Sequence, residues 1–235
     1  MRIYAVKSLD ICEDILENLS LLISPEKRNR IKQFTHKQDK IRTLMGELLI
    51  RTLLTEQLGI ENKYLTFEQN PYGKPYLKNF PNVNFNISHS SGFVVCAIDA
   101  KPIGIDIEEV KPLDYETIAD NFFSESELNY IFKHSLDLRL SKFFEIWTLK
   151  ESYIKCCGQG LSTRLQSFSI EIDQDEKIEV VINNEPIKKY MFKMFGIGLN
   201  YQMALCATCS ANRKIPNEVI MLEQNSLIHN YSNSN

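Results

Sequence analysis

Hydrophobic residues recur at helical spacing in two long stretches of the chain. Between about Asp39 and Gly59, apolar side chains return every three or four positions, at Ile41, Leu44, Met45, Leu48 and Leu49. This period is typical of a helix with one buried face, and a glycine is a common helix end. A second long helix is predicted over residues 142–157, with Gly158 at its end.

Two shorter helices are indicated by their starting residues. Ser24 and Pro25 suit the N-cap and first helical position of a helix within residues 24–36. Ser124 and Glu127 have the spacing of a capping box before a further helix.

Alternation of polar and apolar residues predicts strands between and after these helices. In residues 83–88 the apolar Val, Phe and Ile alternate with Asn, Asn and Ser, which indicates a half-buried strand. FVVCAI (residues 93–98) and IGIDIE (residues 103–108) predict the next two strands. Four more strands are predicted near residues 167–172, 178–182, 189–195 and 201–208.

The order of helices followed by strands occurs twice, which predicts the α/β class. The first run ends in FVVCAI and the second in MALCAT, a loose internal similarity that favours two related subdomains. We expect these subdomains to cover residues 1–100 and 101–222. The last residues, 223–235, are predicted to be a frayed polar tail.

Composition narrows the class of protein. The 235 residues include 27 Lys and Arg against 30 Asp and Glu, a net charge of −3, which argues against a broadly basic surface for nucleic acid. The longest apolar stretch, residues 93–98, is far shorter than the ~20 residues of a membrane span. Because the first residues also lack an apolar signal core, a cytoplasmic protein is expected.

Six cysteines favour buried thiols over a metal or redox centre. Cys206 and Cys209 form the one C-x-x-C pair, but it falls on a predicted strand, where an odd offset points the two thiols to opposite faces. No second C-x-x-C motif accompanies it. A zinc site or a redox pair is therefore the less favoured reading.

Asp106 and Glu108 are the most informative pair of charged residues. Two positions apart on a strand, they share a face, with Ile103, Ile105 and Ile107 on the other. Close carboxylates repel unless a proton or cation lies between them, and Mg²⁺ prefers such oxygen ligands. The alternative is an ordinary exposed strand face.

Further polar residues allow two interpretations each. Glu151 and Lys155 lie one helical turn apart, as an i,i+4 surface pair or as site residues beside Trp147. Cations at 27, 28, 30 and 32 crowd a helix start, where an anion would relieve the conflict with the helix dipole; a solvated basic face is the alternative. Lys74, Ser88 and His89 could also meet a phosphate.

Read jointly, these motifs resemble the surfactin-type 4′-phosphopantetheinyl transferases. The resemblance runs, in order, through SPEKRNRIKQF, RTLMGELLIR, YGKPYL, FNISHS, PIGIDIE, FFSESE and WTLKESYIKCCGQGL, and covers roughly residues 2–208. GIDIE together with W-x-x-K-E-S-x-x-K is highly specific as a pair.

The resemblance implies a fold and a reaction. It implies a pseudo-twofold monomer of two α/β subdomains with a coenzyme A cleft between them. Such enzymes transfer the 4′-phosphopantetheine arm of coenzyme A to a serine of an acyl or peptidyl carrier protein, releasing adenosine 3′,5′-bisphosphate.

The resemblance also implies site residues. The Mg²⁺ ligands would be Asp106, Glu108 and Glu151, with Glu151 as candidate base and Lys155 near the pyrophosphate. The positions that would contact the coenzyme are Lys27, Arg30, Thr43, Lys74, Ser88, His89 and Lys155. Because Phe122 and Phe123 cannot both point into the core, one of them is expected to form an apolar patch for the carrier.

Two other functions stay open on sequence alone. A Mg²⁺-dependent nuclease or phosphodiesterase could use the same acidic residues, although the net charge gives it little support. A non-catalytic coenzyme-A-binding module is the other, and the intact Glu151 and Lys155 argue against it.

Overall fold

Helices and strands follow one another in two runs of similar design, as the predicted α/β class requires. The computed structural model describes residues 1–233, apart from the side chain at position 161. The first run consists of β1 (Arg2–Lys7), α1 (Glu13–Leu21), α2 (Pro25–Lys32), α3 (Lys37–Leu58), β2 (Phe67–Gln69), β3 (Pro75–Leu77), β4 (Asn84–Ser90) and β5 (Phe93–Asp99). The second consists of β6 (Ile103–Glu109), α4 (Tyr115–Phe122), α5 (Glu125–Phe132), α6 (Leu136–Cys157), β7 (Ser169–Ile172), β8 (Ile178–Ile182), β9 (Glu185–Pro186), β10 (Tyr190–Met194), β11 (Tyr201–Thr208), β12 (Ile220–Leu222) and α7 (Gln224–Asn233).

The two long helices are the clearest sign of the internal similarity. Both α3 and α6 have 22 residues, and both end at a left-handed glycine, Gly59 and Gly158, as the sequence predicts. The capping box at Ser124 and Glu127 is also present. Within residues 1–233, none of the helices is long and apolar enough to cross a membrane.

The core consists of three hydrophobic clusters. They lie between four layers, which are α3, the first sheet, the second sheet and α6. One sheet has the strand order β12-β1-β5-β4 and the other has the order β10-β11-β6. Alternate residues of both sheets meet in a central cluster, including Ile3, Val95, Ile105 and Leu205. The opposite face of the first sheet packs on α3, and the opposite face of the second packs on α6.

The two sheets are joined where β4 lies beside β6. The side chain of Asn86 accepts a hydrogen bond from the backbone N–H of Ile105 at 2.8 Å, and that of Ser90 accepts one from Glu109 at 2.9 Å. The strand is present, but the prediction that its polar face is exposed is wrong, because Asn86 and Ser88 are buried. Their side chains form hydrogen bonds with β6 instead of with water.

The end of the chain returns to the first sheet, so the predicted frayed tail is wrong. β12 pairs in parallel with β1, which places residues 220–222 in the first sheet although they were expected in the second subdomain. Helix α7 follows and buries Leu227 and Tyr231 against the first core. Two apolar residues one turn apart suffice to dock an otherwise polar helix. Residues 234 and 235 lie outside the described part of the chain.

Candidate active site

A cavity of about 380 Å³ opens where β4, β6 and α6 meet. We call it the acidic cavity. Its walls are formed by Ile87, Ser88, His89, Asp106, Glu108, Trp147, Glu151 and Lys155. The structure thus brings together six of the ten site residues that the sequence predicts, from three separate segments of the chain.

Gly104 sets the distance between β6 and α6. A Cβ atom at this position would lie 2.1 Å from the carbonyl oxygen of Ser152 and 2.3 Å from the backbone nitrogen of Cys156. The helix backbone therefore rests directly on the strand backbone. Because residues 104, 106 and 108 share one strand face, this contact aims Glu151 and Lys155 at the two acids of β6.

Asp106 is the centre of the acidic cavity. Its Oδ1 accepts hydrogen bonds from Lys155 Nζ at 2.5 Å and from Ser88 Oγ at 2.8 Å. Lys155 Nζ also lies 3.0 Å from Ser88 Oγ. Of the two interpretations of Glu151 and Lys155, the i,i+4 surface pair is therefore wrong, because Lys155 forms its ion pair with Asp106. The other oxygen of Asp106, Oδ2, is buried and has no hydrogen-bond partner in the described part of the chain.

The two neighbouring carboxyl groups have raised pKa values. Burial, followed by the negative charge of Asp106, raises the pKa of Glu108 from 4.5 to about 7, and a hydrogen bond from Ser90 opposes this only in part. Burial and the charge of Asp106 also raise the pKa of Glu151, against the charge of Lys155. Three acids in one cavity hold more negative charge than the single ammonium group balances.

The residues of the acidic cavity fit a divalent cation. An unpartnered buried carboxylate oxygen beside two acids with raised pKa values is the donor set that a hard cation would relieve. Among the described residues, however, no three His, Cys, Asp or Glu side chains are already arranged as a metal cluster. The ligand set Asp106, Glu108 and Glu151 stays a prediction.

Replacing Glu108 by Gln should stabilise the metal-free protein. The folded state raises the pKa of Glu108, so ionisation of this acid costs stability as the pH rises from about 4.5 through about 7. At pH 8 with a chelator, we expect Glu108→Gln to gain about 1–2 kcal/mol, discounted for partial exposure, or about 2–8 °C in melting temperature. The gain should shrink at pH 5.

Melting curves at both pH values test this expectation. Glu171→Gln, which neutralises an exposed acid of β7, is the matched control and should move the melting temperature little at either pH. An equal gain at pH 5 and pH 8 would show that ionisation of Glu108 is not the cause.

The residues expected to contact the coenzyme are placed in different surroundings. Ser88 and His89 line the acidic cavity, and desolvation followed by the charge of Arg42 lowers the pKa of His89. Lys74 points instead at the backbone, with its Nζ donating to the carbonyl oxygens of Ile103 at 3.0 Å and Lys155 at 2.6 Å. In this structure it fastens the YGKP turn to β6 and α6.

The basic start of α2 lies outside the lining of the acidic cavity. Lys27 Nζ is 3.4 Å from the buried Glu47, so one of the crowded cations has an acidic partner. Arg30 is exposed on the helix surface. On α3, the hydroxyl of Thr43 is buried without a hydrogen-bond partner within residues 1–233, and the Nε of Arg42 likewise.

The cysteines do not form the predicted uniform set of buried thiols. Cys12 and Cys209 are exposed, so that expectation is wrong for them. Cys206 is buried on β11, whereas Cys209 lies just beyond the end of that strand, so the two thiols are separated for a different reason from the predicted alternation of strand faces.

Sequence reasoning missed two residues that hold the site in place. Gly104 stands inside the GIDIE motif, and only the contact with α6 explains why a side chain is excluded there. Lys150 stands beside Glu151 in the W-x-x-K-E motif, yet it is fully buried and pairs with Glu127 at 2.6 Å. The capping box gave an indirect signal for this pair, because it identifies Glu127 as an acid at the start of a helix.

Two family models match this chain. The model described as the 4′-phosphopantetheinyl transferase superfamily matches residues 102–219. The model described as the 4′-phosphopantetheinyl transferase N-terminal region matches residues 12–101.

Curated relatives match over most of their length. The 4′-phosphopantetheinyl transferase Sfp of Bacillus subtilis (strain 168) is 36% identical over 229 residues, which is 97% of this chain and 100% of the relative. The 4′-phosphopantetheinyl transferase gsp of Aneurinibacillus migulanus is 37% identical over 203 residues, covering 86% of this chain and 83% of the relative. The 4′-phosphopantetheinyl transferase psf-1 of Bacillus pumilus is 35% identical, covering 81% of each.

Proposed function

Because the chain belongs to the 4′-phosphopantetheinyl transferase superfamily, we propose that the acidic cavity is where it performs its reaction. The enzyme transfers the 4′-phosphopantetheine group of coenzyme A to a serine hydroxyl of an acyl or peptidyl carrier protein. Adenosine 3′,5′-bisphosphate is released. The convergence of Asp106, Glu108, Glu151 and Lys155 in one cavity carries this assignment.

Charge neutralisation is the main task of the acidic cavity. A Mg²⁺ ion held by Asp106, Glu108 and Glu151 would offset the charge of the coenzyme pyrophosphate. The unpartnered Oδ2 of Asp106 supports this ligand set. Lys155, held at Asp106 in the free enzyme, would turn to the departing phosphate and neutralise or protonate it.

Glu151 is the proposed general base. Its pKa is raised by burial and by the charge of Asp106, which makes it a better proton acceptor than an ordinary glutamate. The proton of the carrier serine would pass to Glu151, directly or through a water. The serine oxygen would then form its bond to phosphorus as the bond to the adenosine bisphosphate breaks.

The coenzyme contacts are proposed from the same family pattern. Ser88 and His89 line the acidic cavity, and the buried hydroxyl of Thr43, which has no hydrogen-bond partner within residues 1–233, would donate to a coenzyme oxygen. Lys27 and Arg30 would bind phosphate from the start of α2. Lys74 would act indirectly, because its hydrogen bond to the carbonyl oxygen of Lys155 holds that part of the backbone in place.

One chain suffices for this site, which supports a monomer. The seam between β4 and β6 brings the two halves together within a single polypeptide, so no second copy is needed to complete the acidic cavity. We also propose a cytoplasmic location, where coenzyme A and carrier proteins are available.

Intact mass spectrometry of apo carrier proteins tests the function. After incubation with coenzyme A and Mg²⁺, a carrier should gain the mass of one phosphopantetheine group. Asp106→Asn should slow this transfer about 10²–10³-fold, since it removes a proposed ligand of the Mg²⁺ that would neutralise the reacting phosphate. Its melting temperature without metal should change little, because the loss of the ion pair with Lys155 is offset by the loss of repulsion between the acids.

Two results would contradict the assignment. Transfer by Asp106→Asn at the wild-type rate under limiting Mg²⁺ would remove Asp106 from the site. Strand scission of plasmid by the pure protein, with no mass gain on any carrier, would favour the nuclease alternative.

Phe122 is the proposed contact for the carrier. It is 44% exposed, whereas Phe123 is buried. The Phe122 ring packs edge-on against Trp147, with centroids 6.5 Å apart, and Trp147 lines the acidic cavity. An apolar patch therefore continues from the cavity to the surface, where an incoming carrier helix would dock.

Phe122→Ala should raise the KM for the carrier about tenfold, for the loss of about 1–2 kcal/mol of apolar contact. The KM for coenzyme A should stay unchanged. Tyr64→Ala, which truncates another exposed aromatic side chain away from the cavity lining, is the control. Equal rises in both KM values would indicate general damage to the fold.

A further inference from the structure

Two buried cysteines lie close together, Cys156 at the end of α6 and Cys206 on β11. Strand β11 is the central strand of the sheet β10-β11-β6. Cys206 lies opposite Gly104 in the ladder of β11 and β6, so the two residues share one face of the sheet. The backbone of Cys156 crosses that same face, since a Cβ on Gly104 would lie 2.3 Å from its nitrogen. Both cysteines belong to the buried cluster beneath α6. The absent side chain at 104 thus brings the two thiols together.

The amino group of Lys74 lies beside this pair, and burial lowers its pKa. The ammonium group of Lys74 is anchored by the carbonyl oxygens of Ile103 and Lys155, the residue that precedes Cys156. Hydrogen bonding with Cys206, and also the charge of Lys74, lower the pKa of Cys156 although burial opposes them. The thiolate is the nucleophilic form of cysteine, and an adjacent cation favours it.

A second cavity gives Cys156 access to small molecules. It has a volume of about 350 Å³, and Lys74, Cys156 and Cys157 are among its lining residues. A molecule the size of water occupies ~30 Å³, so hydrogen peroxide has room to enter. Cys206 does not line this cavity. A small oxidant would therefore meet Cys156 first and Cys206 only through it.

We propose that Cys156 and Cys206 are a reactive thiol pair that hydrogen peroxide converts to a disulfide. The Cys156 thiolate attacks one peroxide oxygen and breaks the O–O bond, which leaves a sulfenic acid and hydroxide. The Cys206 sulfur then attacks the Cys156 sulfur while its proton passes to the sulfenic oxygen, which departs as water. In total the two thiols lose two electrons and two protons, and the peroxide becomes two waters.

The disulfide should disturb the acidic cavity. The two sulfur atoms must approach to about 2.05 Å to form the disulfide bond. Gly104 leaves no space under α6 for that approach, so the last turn of the helix has to shift. Lys155 lies in that turn. Slower transfer after oxidation rests on the proposed role of Lys155, whereas formation of the disulfide does not.

Thiol counting on the wild-type protein is the first test. The reduced full-length protein is treated with hydrogen peroxide, its remaining thiols are alkylated after unfolding, and its intact mass and digest are measured. We expect a peptide linked through Cys156 and Cys206, with four of the six thiols left to alkylate. Dithiothreitol should restore all six thiols and the transfer rate.

Matched variants separate this pair from its neighbours. Cys156→Ala should abolish the cross-link and the reversible loss of transfer, whereas Cys157→Ala should keep both. A link between Cys156 and Cys157 would overturn the proposal. The proposal would also be overturned if Cys156 and Cys206 stayed reduced at peroxide doses that oxidise the exposed Cys209. If the cross-link between Cys156 and Cys206 formed but the protein modified no carrier, the thiol pair would be supported. The proposed function would then be refuted instead.

Discussion

Lys150→Met is expected to destabilise the protein by about 3–5 kcal/mol, because it leaves one buried charge without its partner. Both Lys150 and Glu127 are completely buried. The Nζ of Lys150 lies 2.6 and 2.9 Å from the two carboxylate oxygens and 2.8 Å from the carbonyl oxygen of Phe168. Methionine would fill the volume of the lysine stem, so the loss measures charge and hydrogen bonding rather than a cavity.

The remaining bonds of Glu127 explain why the loss should be large. Its carboxylate also accepts the backbone N–H of Ser124 and that of Ile170, each at 2.8 Å. The pair therefore ties α6 to the start of α5 and to β7. Without Lys150, Glu127 must stay charged in the core, take up a proton, or pull away from these two N–H groups.

Urea unfolding of the wild type and three variants, namely Lys150→Met, Lys150→Met with Glu127→Gln, and Lys63→Met, tests this expectation. Lys150→Met with Glu127→Gln should recover part of the loss, because glutamine carries no charge and can still cap the helix. Lys63→Met removes a lysine from a fully exposed ion pair with Glu61 and should barely move the midpoint. If Lys150→Met behaved like Lys63→Met, the buried pair would contribute nothing to the fold.

Local signals predicted the elements whose side chains follow a clear period. The two long helices end at their predicted glycines, and the Ser124 capping box is present. Strand β1 was not predicted, because its residues are buried on both faces and lack alternation. The start of α6 was not predicted either, since Leu136 and Leu138 are exposed and follow no apolar face.

The composition of the site was predictable, but its geometry was not. Carboxylates two apart on a strand had to share a face, and Asp106 and Glu108 do line one cavity. The partner of Lys155 could not be read from spacing, because Asp106 reaches it from another segment. The role of Asn86 was hidden for the same reason: its partner is a backbone N–H of β6. Long-range contacts carry no local signal.

Gly104→Ala should lower the transfer rate about 10²-fold although every charged residue of the acidic cavity remains. The new Cβ would lie 2.1 Å and 2.3 Å from backbone atoms of Ser152 and Cys156, and backbone in a packed helix cannot turn aside as a side chain can. The helix must lift from the strand, at an overpacking cost of about 1–3 kcal/mol. A displacement near 1 Å between reacting groups is enough for a loss of about 10²-fold.

Gly46→Ala is the matched control, since Gly46 also lies in a buried part of the fold, within α3. A Cβ there would lie 3.5 Å from the Ile87 side chain, which is ordinary contact. Alanine also favours a helix over glycine by about 1 kcal/mol, so Gly46→Ala should keep both stability and transfer. Transfer rates on one carrier and melting curves of both variants decide the matter. Wild-type transfer by Gly104→Ala would mean that the seating of α6 on β6 does not position Glu151 and Lys155 for the reaction.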